Sequence, residues 1–288
     1  MEGRRSVRHT LAFVILLTAL TLVAPTLHAQ ENTDRPSTCQ AVAQNPLPIL
    51  KASVTNSQKP IEKFDVKITY VSHSTFRIEN AAGLKIATDF AGFAGHNIIP
   101  DVVTMNHAHS THFTIAPDPR IPHVLRGWGK NGNPAKHNLL VGEALIRNVT
   151  TDINSQWAGY EPNGNSIFIF EMDGLCIGHL GHLHHQLTDA HYAQIGRLDV
   201  LMIPVDGGYT LSVEGMTEIA KRLRASLILP MHWFGSFSLE RFLAEARTAF
   251  PVQDQRQTSV TVSLNSLPVQ PTVVVLRPES SFGLYDGD

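Results

Sequence analysis

The sequence predicts an α/β fold, and two observations carry that prediction. The second half alternates strand-like apolar runs with helix-like amphipathic stretches, an order typical of α/β domains. The first ordered part contains short β-type runs separated by turn signals, which predicts an antiparallel sheet. The 288 residues, 43% hydrophobic and 17% charged, are enough to bury a full core and exclude a disordered chain. The unusual feature is the 15 histidines.

The first 29 residues have the three parts of a secretory signal. Arg4, Arg5 and Arg8 form a basic start, an apolar run follows, and Ala29 supplies a small residue for cleavage. The run covers about 14 residues, fewer than the roughly 20 that span a bilayer. We therefore expect cleavage after Ala29, no stable membrane anchor afterwards, and a periplasmic or secreted protein. The adjacent arginines leave a twin-arginine export route open.

Residues 30–60 are polar, without a sustained period, and predict a leader or tether. The folded domain is expected over residues 61–288. Without the signal, the chain has 20 basic and 24 acidic side chains, a formal charge of −4. This balance gives no indication of nucleic-acid binding, so the expected partner is a small-molecule substrate.

Cys39 and Cys176 are the two cysteines. An oxidising compartment would permit a disulfide between them. Cys176, however, lies in an apolar run at residues 175–180, where a buried, inert thiol is as good an interpretation. The sequence leaves both open.

The predicted elements follow in chain order. Strands are expected at residues 67–70, 75–78, 84–88, 101–105, 166–171, 175–179, 200–204 and 227–230. Helices are expected near residues 188–195, 213–223 and 239–249. Met172-Asp173-Gly174 separates two of the strands and is a strong signal for a β-hairpin turn.

Three histidines follow directly on the strand predicted at residues 101–105. His107 and His109 are two positions apart, so they face the same way on an extended chain, and His112 returns from the next turn. Packing alone rarely places three histidines within six positions. The segment therefore predicts a metal site.

Two further histidine segments also end predicted strands. His179 and His182 follow the hairpin, and His232 follows the strand at residues 227–230. Histidines at three strand ends are what a single site at one sheet edge needs. Imidazole ligands suit zinc, with one or two ions expected, and iron or manganese possible. The adjacent His184 and His185 are better explained as a run of histidines on the protein surface than as metal ligands.

These segments resemble the metallo-β-lactamase superfamily, particularly the branch with ascorbate-6-phosphate lactonase-like and N-acylphosphatidylethanolamine phospholipase D-like proteins. The resemblance spans about residues 61–276. It includes Tyr-Val-Ser-His-Ser-Thr-Phe at residues 70–76, Lys-Ile-Ala-Thr-Asp at residues 85–89, and the strand at residues 199–205. It implies a four-layer αββα sandwich with two metals between the sheet edges.

The resemblance also implies a set of ligands. One metal would be held by His107, His109 and His179. The second would be held partly by His112 and His232.

Two carboxylates of the family pattern are replaced in this chain. Thr111 stands where the family's His-x-His-x-Asp-His segment has aspartate, and His182 stands at the bridging aspartate of His-Leu-Gly-Asp. Neutral imidazole does not bridge two cations as a carboxylate does. Three histidines and water would suffice for one zinc ion. Alternatively, His112, His182 and His232 could hold a second metal, or Asp206 could be a replacement carboxylate or a turn residue.

The predicted function is that of an exported metallo-hydrolase, in which metal-bound hydroxide attacks an ester, lactone, amide or phosphodiester. The candidate catalytic residues are His182, Asp206 and His73. His73 and Asp89 could orient a ligand or shuttle a proton, with structural turn roles equally open. The alternative function is a redox or metal-binding protein with an all-histidine centre on the same fold.

Overall fold

The computed structural model describes residues 35–42, 61–155 and 159–280. The predicted signal peptide and most of the predicted tether lie outside these residues, so both stay predictions. Within the described residues, no helix is both long and apolar enough to cross a membrane.

Strands dominate the described residues, and four helices accompany them there. The strands are β1 (Val66–Ser72), β2 (Thr75–Asn80), β3 (Lys85–Ala87), β4 (Val102–Met105), β5 (His123–Arg126), β6 (Asn138–Val141), β7 (Ala144–Ser155), β8 (Gly159–Met172), β9 (Leu175–His179), β10 (Val200–Pro204), β11 (Leu227–Met231), β12 (Val252–Asp254), β13 (Ser259–Val262) and β14 (Thr272–Val275). The helices are α1 (Thr38–Val42), α2 (Asp189–Ile195), α3 (Val213–Leu223) and α4 (Ser236–Ala246). A 3-10 turn covers Lys130–Gly132.

The strands form two sheets, and the predicted α/β class is confirmed. Sheet A has the order β13-β1-β2-β3-β4-β5, and sheet B has the order β12-β14-β11-β10-β9-β8-β7-β6. The predicted hairpin is present, with β8 and β9 antiparallel around Asp173-Gly174. Both turn residues have positive φ, as this kind of turn requires.

Sheet A begins with the antiparallel strands that the sequence predicted and continues with two parallel pairs. The pairs β1/β2 and β2/β3 are antiparallel, but β3/β4 and β4/β5 are parallel. The connection at residues 88–101 is long enough to carry the chain back, so β4 starts beside β3 in the same direction. As a result, the histidines after β4 reach the same end of the sheet as the residues after β3.

The parallel part of sheet B brings other site segments to one edge. Strands β9, β10 and β11 are neighbours in parallel register, with His179 opposite Met202 and Pro204 opposite Met231. The carboxyl ends of parallel strands meet at the same edge of a sheet. The segments that carry His182, Asp206 and His232 therefore leave sheet B side by side.

A disulfide joins Cys39 of α1 to Cys176 of β9, so the structure decides the question that the sequence left open. Thr38 and Cys39 also donate backbone hydrogen bonds to the Glu171 carboxylate. That carboxylate forms a buried ion pair with Arg147 at 2.7 Å. Part of the segment predicted as a tether is thus fixed to sheet B.

Candidate metal centre

Five histidines converge where the strand ends meet. Ring nitrogens of His73, His109, His112 and His232 lie within 4.8 Å of one another. His182 adds a nitrogen, because its Nε2 is 3.2 Å from His109 Nε2. Every pair among the rings of His109, His112, His182 and His232 has centroids 4.6–5.5 Å apart. We call these five residues the histidine cluster.

Unusual backbone conformations hold parts of the site. His73 in the β1–β2 turn, Asp89 after β3 and His232 after β11 have φ values of 37°, 40° and 58°. Left-handed backbone is unfavourable for residues with a side chain, and such residues are enriched at functional sites. The His73 carbonyl accepts hydrogen bonds from the Tyr70 hydroxyl at 2.6 Å and from the His232 amide at 2.8 Å. These two bonds fix the β1–β2 turn against the end of β11.

A buried carboxylate orients His112. Asp89 Oδ2 lies 2.6 Å from His112 Nδ1, and Asp89 Oδ1 accepts a hydrogen bond from Asn106 at 2.7 Å. The proton of His112 therefore sits on Nδ1, and the Nε2 lone pair is free for the cluster. Burial raises the pKa of Asp89 to about 6. Histidine ligands of metals commonly donate their other N–H to a carboxylate in this way.

Hydrogen bonds also hold the rings of His109 and His182. His109 Nδ1 lies 2.8 Å from the hydroxyl of Thr111, the residue at the family's aspartate position. His182 Nδ1 lies 2.7 Å from His184 Nε2, and His184 in turn donates to the Asn154 carbonyl. His184 Nε2 is therefore the acceptor for His182 Nδ1, and the Nε2 lone pair of His182 faces His109 Nε2. His184, which looked like part of a surface tract, is thus the partner that orients His182.

Asp206 lies behind His232. Its Oδ1 is 2.9 Å from His232 Nδ1, although the angle is not that of a hydrogen bond. Oδ1 also accepts from the Thr210 hydroxyl, and Oδ2 accepts from backbone amides, including those of Gly208 and Tyr209. Burial opposes ionisation, but His232 and these donors outweigh it and hold the pKa of Asp206 well below its usual range. The carboxylate is therefore a charged turn residue beside the cluster.

Four of the cluster histidines, His73, His109, His112 and His182, are neutral at neutral pH. Burial, followed by the neighbouring imidazoles, lowers the pKa of His109 to about 4 and the pKa of His73, His112 and His182 well below the ordinary value. Metal binding requires the neutral form of histidine. These four histidines are thus in their ligating state without having to lose protons.

The chemistry of these donors fits a divalent metal ion. Ring nitrogens of His73, His112 and His232 are buried and have no hydrogen-bond partner among the described residues. Each such atom costs about 1–3 kcal/mol when it stays unpaired. Zinc–nitrogen bonds of 2.0–2.1 Å in a tetrahedron place two ligand nitrogens roughly 3.3 Å apart. The 3.2 Å between His109 and His182 matches that spacing.

His107 lies outside the cluster, although it was a predicted ligand. Its Nδ1 contacts both oxygens of Glu161 on β8, at 2.7 and 2.8 Å. Its ring stacks on Trp128 with centroids 5.0 Å apart, and its side chain is 43% exposed. Glu161 and Trp128 together turn the imidazole away from His109.

His179 also lies outside the cluster, because both of its ring nitrogens have protein partners. Nε2 donates to the Ser74 carbonyl at 2.8 Å, and Nδ1 accepts from the Gly181 amide at 3.0 Å. Gly181 has a φ of 61°, and a Cβ there would lie 2.3 Å from Asn165 Oδ1 and 2.4 Å from Asn106 Nδ2. A side chain at position 181 would therefore clash with both asparagines.

Repulsion between cations limits how many ions the centre can hold. Two divalent cations 4 Å apart repel each other by about 16 kcal/mol at an effective dielectric constant of about 20. A bridging carboxylate offsets this repulsion, but His182 occupies that position. The oxygens of Asp89 and Asp206 are already engaged by hydrogen bonds and by His232.

Two sheets with a histidine cluster at their strand ends define a metallo-β-lactamase-like protein. A family model described as the beta-lactamase superfamily domain matches residues 67–232, more than half of the chain. The chain therefore belongs to the beta-lactamase superfamily. The branch named from the sequence stays a prediction.

Relatives and solved structures agree with this membership. A UPF0173 metal-dependent hydrolase of Methanoculleus marisnigri is 25% identical over 215 residues, covering 70% of this chain and 94% of the relative. Its counterpart in Archaeoglobus fulgidus is 20% identical over 241 residues, covering 75% and 98%. A Thermotoga maritima structure, assigned as a zinc-dependent hydrolase of the metallo-β-lactamase superfamily, has 28% identity and a TM-score of 0.54 over 73% of this chain and 98% of its own. The predicted metallo-β-lactamase-like fold is thus confirmed.

Proposed function

We propose that this metal-dependent hydrolase of the metallo-β-lactamase superfamily uses the histidine cluster to cleave an ester, lactone or amide with water. The observation that carries the proposal is the convergence of the imidazole rings of His109, His112, His182 and His232, with centroids 4.6–5.5 Å apart. A bound divalent cation would lower the pKa of a coordinated water and polarise the bond to be cleaved. Zinc suits imidazole ligands, and iron and manganese are the alternatives.

The protein's own groups prepare this centre. Asp89 and Asp206 lie behind His112 and His232 and supply two negative charges close to the cation without ligating it. A hydrogen bond that an imidazole N–H donates to a carboxylate strengthens the imidazole as a ligand and holds its ring in place. His184 holds the ring of His182 in the same way, through a hydrogen bond between two imidazoles.

The rim of the cluster supports an uncharged, partly apolar substrate. Phe234 packs 5.1 Å from His73 and 5.3 Å from His232, and Tyr209, 48% exposed, packs 5.2 Å from Phe234. These aromatic rings suit an uncharged, partly apolar substrate, so we favour an ester, lactone or amide over a phosphodiester.

Export to an oxidising compartment is part of the proposal. The basic start and short apolar run of residues 1–29 are typical of a secretory signal. The Cys39–Cys176 disulfide supports this location, because disulfides persist in the periplasm and outside the cell. Residues 1–29 should be missing from protein recovered from a periplasmic or culture fraction, as mass spectrometry would show.

The test of the reaction is metal-dependent turnover by the full chain. The protein is stripped with a chelator, reloaded with zinc, iron or manganese, and assayed on 4-nitrophenyl esters, a lactone, an anilide and bis(4-nitrophenyl) phosphate. We expect ester, lactone or amide turnover that needs metal, is lost in His182→Ala, and survives in His96→Ala, a change at an exposed histidine. Loaded protein that turns over none of these substrates would contradict the proposal.

The all-nitrogen donor set also favours a second candidate, a redox centre on the same fold. Imidazole binds iron and copper as well as zinc, and no carboxylate of the described cluster is free to ligate. Iron or copper in the purified protein, a reversible redox signal and no hydrolysis would select this alternative.

A further inference from the structure

We infer that His73 binds the same metal ion as His109, His112 and His232, and that the histidine cluster holds one metal ion per chain. This inference concerns coordination alone. It would stand even if the reaction at the centre were not hydrolysis.

The first argument is the environment of the His73 ring. The residue is 1% exposed, and neither Nδ1 nor Nε2 has a hydrogen-bond partner among the described residues. Buried polar side-chain atoms nearly always have a partner. The ring lies against the cluster, with its centroid 4.1 Å from His232, 5.6 Å from His112 and 5.8 Å from His109. A shared cation is the partner that this position offers.

The second argument is the unfavourable backbone conformation in which the fold holds His73. His73 has a φ of 37°, a conformation that a residue with a side chain adopts at some cost. The hydrogen bonds that its carbonyl accepts from Tyr70 and His232 maintain that conformation. The second bond couples the backbones of His73 and His232 directly. Two potential ligands from different sheets are thereby fixed relative to each other.

The third argument concerns the number of ions. Each neutral imidazole has one lone pair and serves one cation. The rings of His109, His112 and His232 lie close to His73 and also close to His182. These three residues therefore cannot serve two separate ions. A second ion would need ligands of its own, but both nitrogens of His179 are used and His107 is not among the grouped donors. The nitrogens of His73, His109, His112 and His232, all within 4.8 Å of one another, are enough to hold one ion.

The test compares His73→Phe with His107→Phe in the full chain. Because His73 makes no hydrogen bond through its ring among the described residues, phenyl removes the donor at little other cost. The same change at His107 removes a side chain that the family resemblance implies is a metal ligand. Metal content at saturation is measured by elemental analysis, affinity by chelator competition, and the number of nitrogen neighbours by X-ray absorption.

We expect one ion per chain in the wild type. His73→Phe should bind metal at least tenfold more weakly and lose one nitrogen neighbour, whereas His107→Phe should match the wild type in both. Two ions per wild-type chain, or a His73→Phe variant indistinguishable from the wild type, would overturn the inference. Should His73→Phe fail to fold, as judged by circular dichroism, His73→Asn takes its place, since asparagine tolerates positive φ. Absence of turnover with one ion bound would refute the hydrolytic proposal and leave this inference intact.

Discussion

At the scale of single residues, negative charge lies behind the candidate ligands and not at the two ligand positions where the family has carboxylates. Thr111 and His182 replace the two carboxylates of the family pattern. Asp89 and Asp206 then lie 2.6 and 2.9 Å from nitrogens of His112 and His232. The negative charges of these two carboxylates still balance the positive charge of a bound cation, but an imidazole ring lies between each carboxylate and the cation.

The role of Asp89 gives the first prediction. Asp89→Asn removes the charge behind His112 and keeps the size of the side chain. Loss of a hydrogen-bond partner behind a ligand typically costs about 10–100-fold in metal affinity, and we expect a loss in that range. Chelator competition measures it, with His96→Ala as the control. An unchanged affinity would mean that Asp89 serves the fold and not the metal.

The lowered histidine pKa values give a prediction about pH. The folded pKa of His109 and of His184 is about 4, against an ordinary value of 6.5. Below pH 6.5 the unfolded chain therefore takes up protons that the folded chain does not, so stability falls as pH falls. Asp89, with its raised pKa of about 6, acts in the opposite direction, but it is one group against several histidines.

We therefore expect the melting temperature of the metal-free protein to fall between pH 6.5 and about pH 4. Differential scanning calorimetry at several pH values measures this decline. A melting temperature that stays constant or rises over this interval would show that the cluster is not buried in its neutral form.

At the scale of elements, the turn after β9 depends on a glycine. Gly181→Ala places a Cβ against Asn165 and Asn106, at 2.3 and 2.4 Å. Gly142 is the matched control, because it has a similar φ of 57° and no atom lies within 4 Å of the position that a Cβ would take there. Both changes carry a backbone cost of about 1–2 kcal/mol, and only Gly181→Ala adds a clash.

We expect Gly181→Ala to lower the free energy of unfolding more than Gly142→Ala and to weaken metal binding through His182. Urea denaturation and chelator competition measure the two effects. Equal destabilisation by both variants would mean that the turn relaxes without disturbing the site.

The buried ion pair between β7 and β8 gives another prediction. Arg147 and Glu171 contact each other at 2.7 Å, and their side chains are only 8% and 3% exposed. Arg147→Ala leaves the carboxylate buried without its cation, which typically costs about 3–5 kcal/mol. Arg120→Ala, which breaks an exposed pair with Asp118, is the control and should have little effect on stability. Similar urea midpoints for the two variants would contradict this expectation.

At the scale of the whole molecule, the disulfide is the longest-range covalent constraint among the described residues. It links residues 137 positions apart. Removal of a native disulfide with Cys39→Ser and Cys176→Ser together should cost about 2–4 kcal/mol, mainly because the unfolded chain gains freedom. Thermal unfolding measures the loss. We expect metal content to stay at the wild-type value, since the cysteines are not among the cluster residues, and a loss of metal would show that α1 supports the site.

Several parts of the fold were predictable because they depend on neighbouring residues. The strand at residues 200–204, the helix at residues 213–223 and the hairpin around Asp173-Gly174 all agree with the structure. Strands β5 to β7 and β12 to β14 were missed. Asn148 and Thr150 of β7 are examples of the polar residues that weaken the apolar period, and pairing with β8 stabilises that strand instead.

The sequence by itself determined the fold class, the placement of histidines at strand ends and the superfamily, because short-range periodicity and local motifs encode them. Only the tertiary structure decided which histidines converge. His107 is held by a glutamate 54 residues away, and His112 by an aspartate 23 residues away. Ring orientation and tautomer depend on partners that are distant in the chain, and spacing within a motif carries no information about them. Folding therefore brings His73 into the cluster and leaves His107 and His179 outside it.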